Sequence, residues 1–237
     1  MDKILKSIQV QNNKDSNYYT CNITQLNLGH LNNIVEFERF VIGNLIDKNF
    51  CLPSSKEDWM RMLGNEGIVL GSFVNKELIG VRSILFPYQE DDNLGRYISL
   101  SEADLNRLFH LELTSIHPDY VGNDLQKKMT KLALSMMNIS ETWKHVMLTI
   151  YPYNFSSLKN IFDFSIIVVK LKKIYNGTWR YILYQNLHTP ILIDKENSIK
   201  VLSNDIEKQI ELLDKGYYGF SLSRDKGKQY ILYGKEK

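Results

Sequence analysis

The chain has 237 residues, 43% of them hydrophobic, and its 29 basic and 27 acidic side chains leave a formal net charge of +2. With Lys and Arg spread evenly, that balance excludes the electrostatic footprint of a nucleic-acid or anionic-membrane binder. Two cysteines, Cys21 and Cys51, are too few for a disulfide framework and lack a metal-ligand spacing, and the histidines show none either. No apolar leader opens the chain and no run approaches the ~18 apolar residues of a membrane span, so a cytoplasmic location and a sizeable core are expected.

Residues 1–17 are polar and read as a short element followed by a turn. Tyr18 to Leu28 alternates in parts and predicts the first sheet strand, ended by Gly29. Leu31, Ile34, Val35, Val41, Ile42 and Leu45 recur at three- and four-residue intervals and predict a helix. A second helix follows Ser55, which can cap it while Glu57 and Asp58 fill its first turn. Gly67 to Val74 and Glu77 to Phe86 are β-rich runs separated by Asn75-Lys76, a hairpin pattern. Tyr88 to Arg107 is a polar excursion containing Glu90-Asp91-Asp92 and a short helix after Ser101; connections this long usually carry function.

The stretch Leu111–Met137 then reads as strand, tight turn, helix. Leu111, Leu113 and Ser115 fall on one side of the strand and Glu112, Thr114 and Ile116 on the other. Pro118 stops the strand. Leu125, Met129, Leu132, Ala133 and Met136 form an apolar stripe over about four helical turns. The first free N–H groups of that helix face whatever docks at Tyr120-Val121-Gly122-Asn123-Asp124, and such a helix start attracts anions. His145 to Tyr151 is a further strand, a short helix runs from Asn154 to Phe162, and the strands Ile166 to Ile174 and Trp179 to Tyr184 flank Asn176-Gly177. Beyond residue 188 come short strands at Ile191–Ile193 and Ile199–Leu202, a helix opened by Asn204 with Glu207 in a capping box, and a hairpin around Asp225-Lys226-Gly227.

Strand, Pro, aromatic, Gly at the turn and a long apolar-striped helix resemble the acyl-CoA-binding motif of the GNAT acyltransferase superfamily. The order of elements from about residue 18 to 187 is also similar to that of the superfamily. The resemblance implies an α+β fold with a mixed, mostly antiparallel central sheet flanked by helices. Residues 1–188 would form the acyltransferase domain, and residues 189–237 a small C-terminal extension packed on it. The family signature is Arg/Gln-x-x-Gly-x-Gly/Ala, often seen as Arg-Gly-x-Gly-x-Gly. Here Val121 stands at the basic or Gln position, Gly122 matches, Asp124 replaces the second glycine and Gln126 the third.

The resemblance further implies acetyl-CoA as co-substrate and transfer of acetyl to a primary amine by direct attack. Acyl-CoA contacts would come from Leu113, Thr114 and Ser115 on the strand, the N–H groups of Leu113 and Ser115 holding the pantetheine and polarising the carbonyl. Val121, Gly122, Asn123, Asp124, Leu125 and Gln126 at the helix start, and Asn154 at the next one, would complete the site. Lys127, Lys128 and Lys131 could meet the phosphates. Glu112 falls where the family often places a general base, with His110 two residues earlier on the same face. The family's usual proton-donating Tyr is replaced by Ile161, which leaves Tyr153, beside Tyr151, as the substitute acid. No metal is implied. The acceptor would be a small-molecule or peptide amine, and Glu90-Asp91-Asp92 favours a cationic one. The C-terminal segment could cover a sheet edge, act as a lid or form a homodimer contact. The rival reading is a GNAT-fold acyl-CoA-binding or regulatory module without catalysis.

Overall fold

The computed structural model describes residues 3–88, 90–139 and 141–237. They divide into two compact units, Met1–Pro87 with Phe109–Glu141, and Tyr88–Leu108 with Thr142–Lys237. The architecture is α+β, with a large antiparallel sheet content and six α-helices among the described residues.

In the first unit the strands β1 (Ile4–Gln11), β2 (Tyr18–Gln25), β3 (Gly67–Val74), β4 (Glu77–Leu85) and β5 (Leu108–Ile116) pair in chain order, each antiparallel to the next. The polar opening of the chain is therefore a full strand, paired from Ile4 to Gln11 with β2. Its alternation is masked because both faces are largely exposed. The β3–β4 hairpin turns through Asn75 and Lys76, both with positive φ, 49° and 71°, as a two-residue connection requires.

Helices α1 (Leu31–Gly43) and α2 (Lys56–Leu63) cover one face of this sheet. Ile34, Phe37, Val41, Trp59 and Met62 pack there against Leu26, Val69, Val81, Leu85 and Leu113. Ser55 caps α2 by accepting from Asp58 N, and the Asp58 carboxylate returns the bond to Ser55 N. Buried Glu38 joins the two helices by accepting from Trp59 Nε1 at 2.9 Å and Ser54 N at 3.0 Å. The opposite face carries α4 (Leu125–Asn138), whose Leu125 and Met129 lie 3.3 and 3.4 Å from where a Cβ on Gly80 would stand. Glycine there lets the helix approach the sheet closely.

In the second unit the strand order is β6 (His145–Ile150), β8 (Thr178–Asn186), β7 (Ile167–Ile174), β10 (Tyr217–Asp225), β11 (Lys228–Lys235) and β9 (Ile199–Leu202), again antiparallel throughout. Its core gathers Leu94, Leu108, Met147, Ile167, Ile182 and Tyr184. The excursion is ordered by a 3₁₀ turn, Leu94–Ile98, and the short helix α3 (Glu102–Leu105). Residues 189–237 do not form a compact unit of their own. They extend the sheet of this unit from β7, with Gly219 paired to Val168, and Ile193 bridges to Glu236. Helix α6 (Ile206–Asp214) is capped by Asp205, whose carboxylate accepts from Lys208 N at 3.0 Å, and not by Asn204. Its most buried positions are Gln209, Leu212 and Leu213.

Candidate active site

The register of β5 against β4 decides what the site can offer. His110 lies opposite Leu85 and Leu111 opposite Ile84, whereas Thr114 lies opposite Arg82 and Ser115 opposite Val81. Two residues, Glu112 and Leu113, therefore face the single residue Ser83, which is a β-bulge. The bulge resets the alternation. Leu113 joins the core beneath α1 and α2, and Glu112 shares that face with His110, whose Nδ1 lies 3.0 Å from Glu112 Oε1. Glu112 is thus not on the side of Thr114 and Ile116, as simple alternation predicts. Its side chain keeps 35% of its surface exposed while His110 is buried, so the carboxylate is held on one side and open on the other.

The same register corrects the expected backbone donors. His117 N donates to Ile79 O at 2.9 Å and Leu113 N to Ser83 Oγ at 3.1 Å. The N–H groups of alternate residues 113, 115 and 117 therefore point toward β4. Those of Leu113 and Ser115 are turned away from any ligand lying along the other edge of β5. Thr114 presents its N–H and C=O to that edge.

After β5 the chain makes a 3₁₀ turn, Pro118–Tyr120, and enters α4 through two left-handed residues, Gly122 at φ 94° and Asp124 at φ 54°, ψ 21°. Asp124 reproduces the backbone shape that a glycine would give at the second signature position. It stands at the N-cap of α4, but its side chain makes no capping bond. A Cβ at Gly122 would find no heavy atom within 4 Å, leaving open space over the loop. The buried end of α4, Leu125, anchors the helix start, and its first N–H groups have no partner within the helix.

Asn123, expected to meet the ligand, uses its side chain for the loop itself. Its Oδ1 accepts from Gln11 N at 2.6 Å, and its Nδ2 donates to Gln11 O at 2.8 Å and Tyr120 O at 3.0 Å. The β1–β2 turn adds Asn13 N to Asp119 O at 2.7 Å, Asn13 Nδ2 to Val121 O at 2.9 Å, Asn12 Nδ2 to Tyr120 Oη at 3.1 Å and a Lys14–Asp119 ion pair at 3.0 Å. Val121 is left with its side chain exposed. Lys128 Nζ donates to Asn123 O at 2.9 Å and thus braces the loop as well. Gln126 O accepts from Thr130 Oγ1. Behind this loop lies a cavity of about 720 Å³ between the end of α1 and the start of β4, walled by Phe40, Glu77, His117 and Tyr120. The Phe40 and His117 rings stack there at 4.9 Å.

In the second unit, Asn154 caps α5 (Phe155–Phe162), its Oδ1 accepting from Ser157 N at 3.2 Å. Tyr153, 39% exposed, packs edge-on between Tyr151 and Phe155. The polar cluster of this unit lies elsewhere. Asp104 takes hydrogen bonds from Ser101 Oγ, Lys144 Nζ and His145 Nε2, and His145 Nδ1 lies 2.9 Å from Tyr184 Oη. Among the described residues no group of three or more His, Cys, Asp or Glu is arranged to hold a metal ion, and no helix is long and apolar enough to cross a membrane. Cys21 is buried, which pushes its thiol up to about 11 and leaves it unreactive.

No protein-family model matches this chain, and no curated protein sequence does. Solved structures do. Arabidopsis thaliana NAA60 in complex with acetyl-CoA superposes with a TM-score of 0.58 at 12% identity, over 71% of this chain and 99% of that one. The chain has the GNAT fold. An acetyltransferase of the GNAT family from Streptococcus pneumoniae matches at a TM-score of 0.52 and 13% identity, over 70% and 99% of the two chains. An N-acetyltransferase from Staphylococcus aureus matches at 0.54 and 11%, over 71% and 99%. Missing from the sequence reading are the bulge at Glu112-Leu113, the brace from the β1–β2 turn and the buried guanidinium of Arg82 beside Thr114.

Proposed function

We propose that the protein is an acyl-CoA-dependent N-acyltransferase that moves an acyl group, acetyl in the simplest case, from the CoA thioester to a primary amine of a small molecule or peptide. The observation that carries this reading is the backbone of the β5–α4 turn. Left-handed conformations at Gly122 and Asp124 and open space above Gly122 lead into a 14-residue amphipathic helix, despite the altered signature. Helix N–H groups from Asn123 to Gln126 would hold the pyrophosphate. The Thr114 N–H, directed away from β4, would hold the pantetheine. A carboxylate at Asp124 opposes anion binding in part, and neighbouring Lys127 and Lys131 offset it.

An amine with an ordinary pKa near 10.4 is cationic at pH 7, and removing its proton costs roughly 4.6 kcal/mol. Glu112, positioned by His110 and open on its other side, takes that proton directly or through water. The nitrogen lone pair then forms the C–N bond while the carbonyl pair moves to oxygen. As the tetrahedral intermediate collapses, the carbonyl re-forms, the C–S bond breaks, the nitrogen gives up its second proton to water and the departing thiolate takes one up from solvent.

Calorimetric titration with acetyl-CoA and with CoA tests the reading. Micromolar binding is the expected result and leads to an amine screen for acetylation. No binding at millimolar ligand would overturn it in favour of a GNAT-shaped module with another purpose.

A further inference from the structure

Arg82 lies on β4 at only 2% exposure, and its Nη1 donates to Thr114 Oγ1. Its Nε and Nη2 are buried and have no hydrogen-bond partner. Glu112 is the charge acting on it, and burial pulls the guanidinium down to about 9, which still leaves it cationic at neutral pH. A buried cation with unfilled donors is costly, and an apolar residue of similar volume would serve stability better. The two unfilled groups are adjacent N–H donors on one edge of the planar fork. That edge matches both oxygens of a carboxylate. Arg82 also sits directly opposite Thr114, the strand residue whose N–H faces away from β4.

We infer that Arg82 is a substrate-binding residue whose Nε and Nη2 receive a carboxylate carried by one of the two substrates. The inference rests on the acyltransferase reading and narrows its substrates. The carboxylate has two sources, the far end of a dicarboxylic acyl chain on CoA or the α-carboxylate of an amino-acid acceptor. An uncharged acetyl donor used with a simple amine leaves the fork unfilled.

The test compares kcat/KM for succinyl-CoA against acetyl-CoA, and for an amino acid against its carboxamide as acceptor, in the wild type, Arg82→Gln and Arg82→Lys. The expected result is a preference of at least about tenfold for the carboxylate in one of the two comparisons. Arg82→Gln should abolish it. Arg82→Lys, a point charge without the fork, should lose most of it while still binding CoA, and it serves as the informative variant if the Gln protein does not fold. Absence of preference in both wild-type comparisons, or a preference that survives in both variants, would overturn the inference while leaving acyl transfer standing. A wild type that binds no acyl-CoA would overturn the acyltransferase reading, and this inference with it.

Discussion

Asn123 and Gln11 exchange two hydrogen bonds, Gln11 N to Asn123 Oδ1 at 2.6 Å and Asn123 Nδ2 to Gln11 O at 2.8 Å. A side-chain amide thereby acts as an added rung at the end of β1 and fastens the turn between β5 and α4 to a strand over a hundred residues away in sequence. Gly122 takes its left-handed shape freely, but the second left-handed position has no glycine, and Asp124 must be held at φ 54°. Each left-handed non-glycine residue costs on the order of 1 kcal/mol. The brace supplies that constraint from outside the loop.

Asn123→Ala removes both bonds and leaves Gln11 N and O to water. The CoA dissociation constant should rise about five- to tenfold, the equivalent of roughly 1 kcal/mol, while kcat at saturation changes little. Calorimetry with CoA and steady-state kinetics measure the two effects. A fall in kcat with unchanged CoA affinity would show that Asn123 does something other than shape the turn.

Glu112→Gln keeps the size of the side chain and its contact with His110 but removes the proton acceptor. Turnover should drop by about 10² at pH 7 if it is the base, with acetyl-CoA affinity preserved. Because the variant still lacks only a base, raising the pH should recover part of the rate, as more acceptor arrives already neutral. An unchanged rate would remove Glu112 from the chemistry.

What the sequence made legible was local. The Ser55 cap and the Asn75-Lys76 and Asn176-Gly177 turns each depend on residues within a few positions of one another and appear where their patterns put them, while the stripe of α4 holds at Leu125, Met129 and Ala133 but is completed by Thr130 and Met137 in place of Leu132 and Met136. The bulge at Glu112-Leu113 depends on the register with Ser83, which alternation in a single strand cannot report. Leu113 and Ser115 were accordingly the wrong backbone donors. Nothing local in ELIGVRSILF marks Arg82, whose burial and unfilled donors arise only from tertiary packing. The Gln11–Asn123 pair has no local signature at all, since asparagines near a turn are common for their own reasons.

The Asp104–His145–Tyr184 chain makes stability sensitive to acid. Hydrogen bonds from His145, Lys144 and Ser101 hold the Asp104 carboxyl well below its ordinary value of 3.8, and burial holds His145 below 6.5. Burial pushes the Tyr184 phenol up to about 12, so it donates to His145 Nδ1 while the neutral imidazole donates from Nε2 to Asp104. Both depressed groups bind fewer protons in the folded state, so their stabilisation is present above 6.5 for His145 and above 3.8 for Asp104, and is lost as pH falls further. Buried Glu38 has a raised pKa and contributes with the opposite sign, so a difference measurement is needed. In urea titrations the stability gap between wild type and Asp104→Asn should change as His145 titrates below 6.5, because Asp104 raises the His145 pKa, and should close as the pH falls below about 4. A gap that does not change with pH would mean that Asp104 acts through packing alone.

The last relationship bears on whether residues 189–237 are an appendage or part of the fold. Gln209 on α6 is fully buried and its side-chain amide is saturated. Oε1 accepts from Tyr181 Oη on β8 and from Tyr233 Oη on β11 at 2.8 Å, and Nε2 donates to Leu202 O at 3.2 Å and Ser203 O at 3.0 Å. Four otherwise buried polar groups thus converge on one amide that comes from the C-terminal segment. Gln209→Leu is close in volume but strands two phenols and two carbonyls, each costing about 1–3 kcal/mol unless the structure relaxes. Destabilisation of roughly 2–4 kcal/mol is expected, read as a shift in denaturation midpoint for a single cooperative transition of the second unit. A chain ending at residue 188 should do worse, because it exposes the edge of β7 and uncovers Tyr181. If Gln209→Leu instead melted residues 189–237 separately and left the remaining strands of the unit at wild-type stability, the C-terminal segment would be an independent attachment.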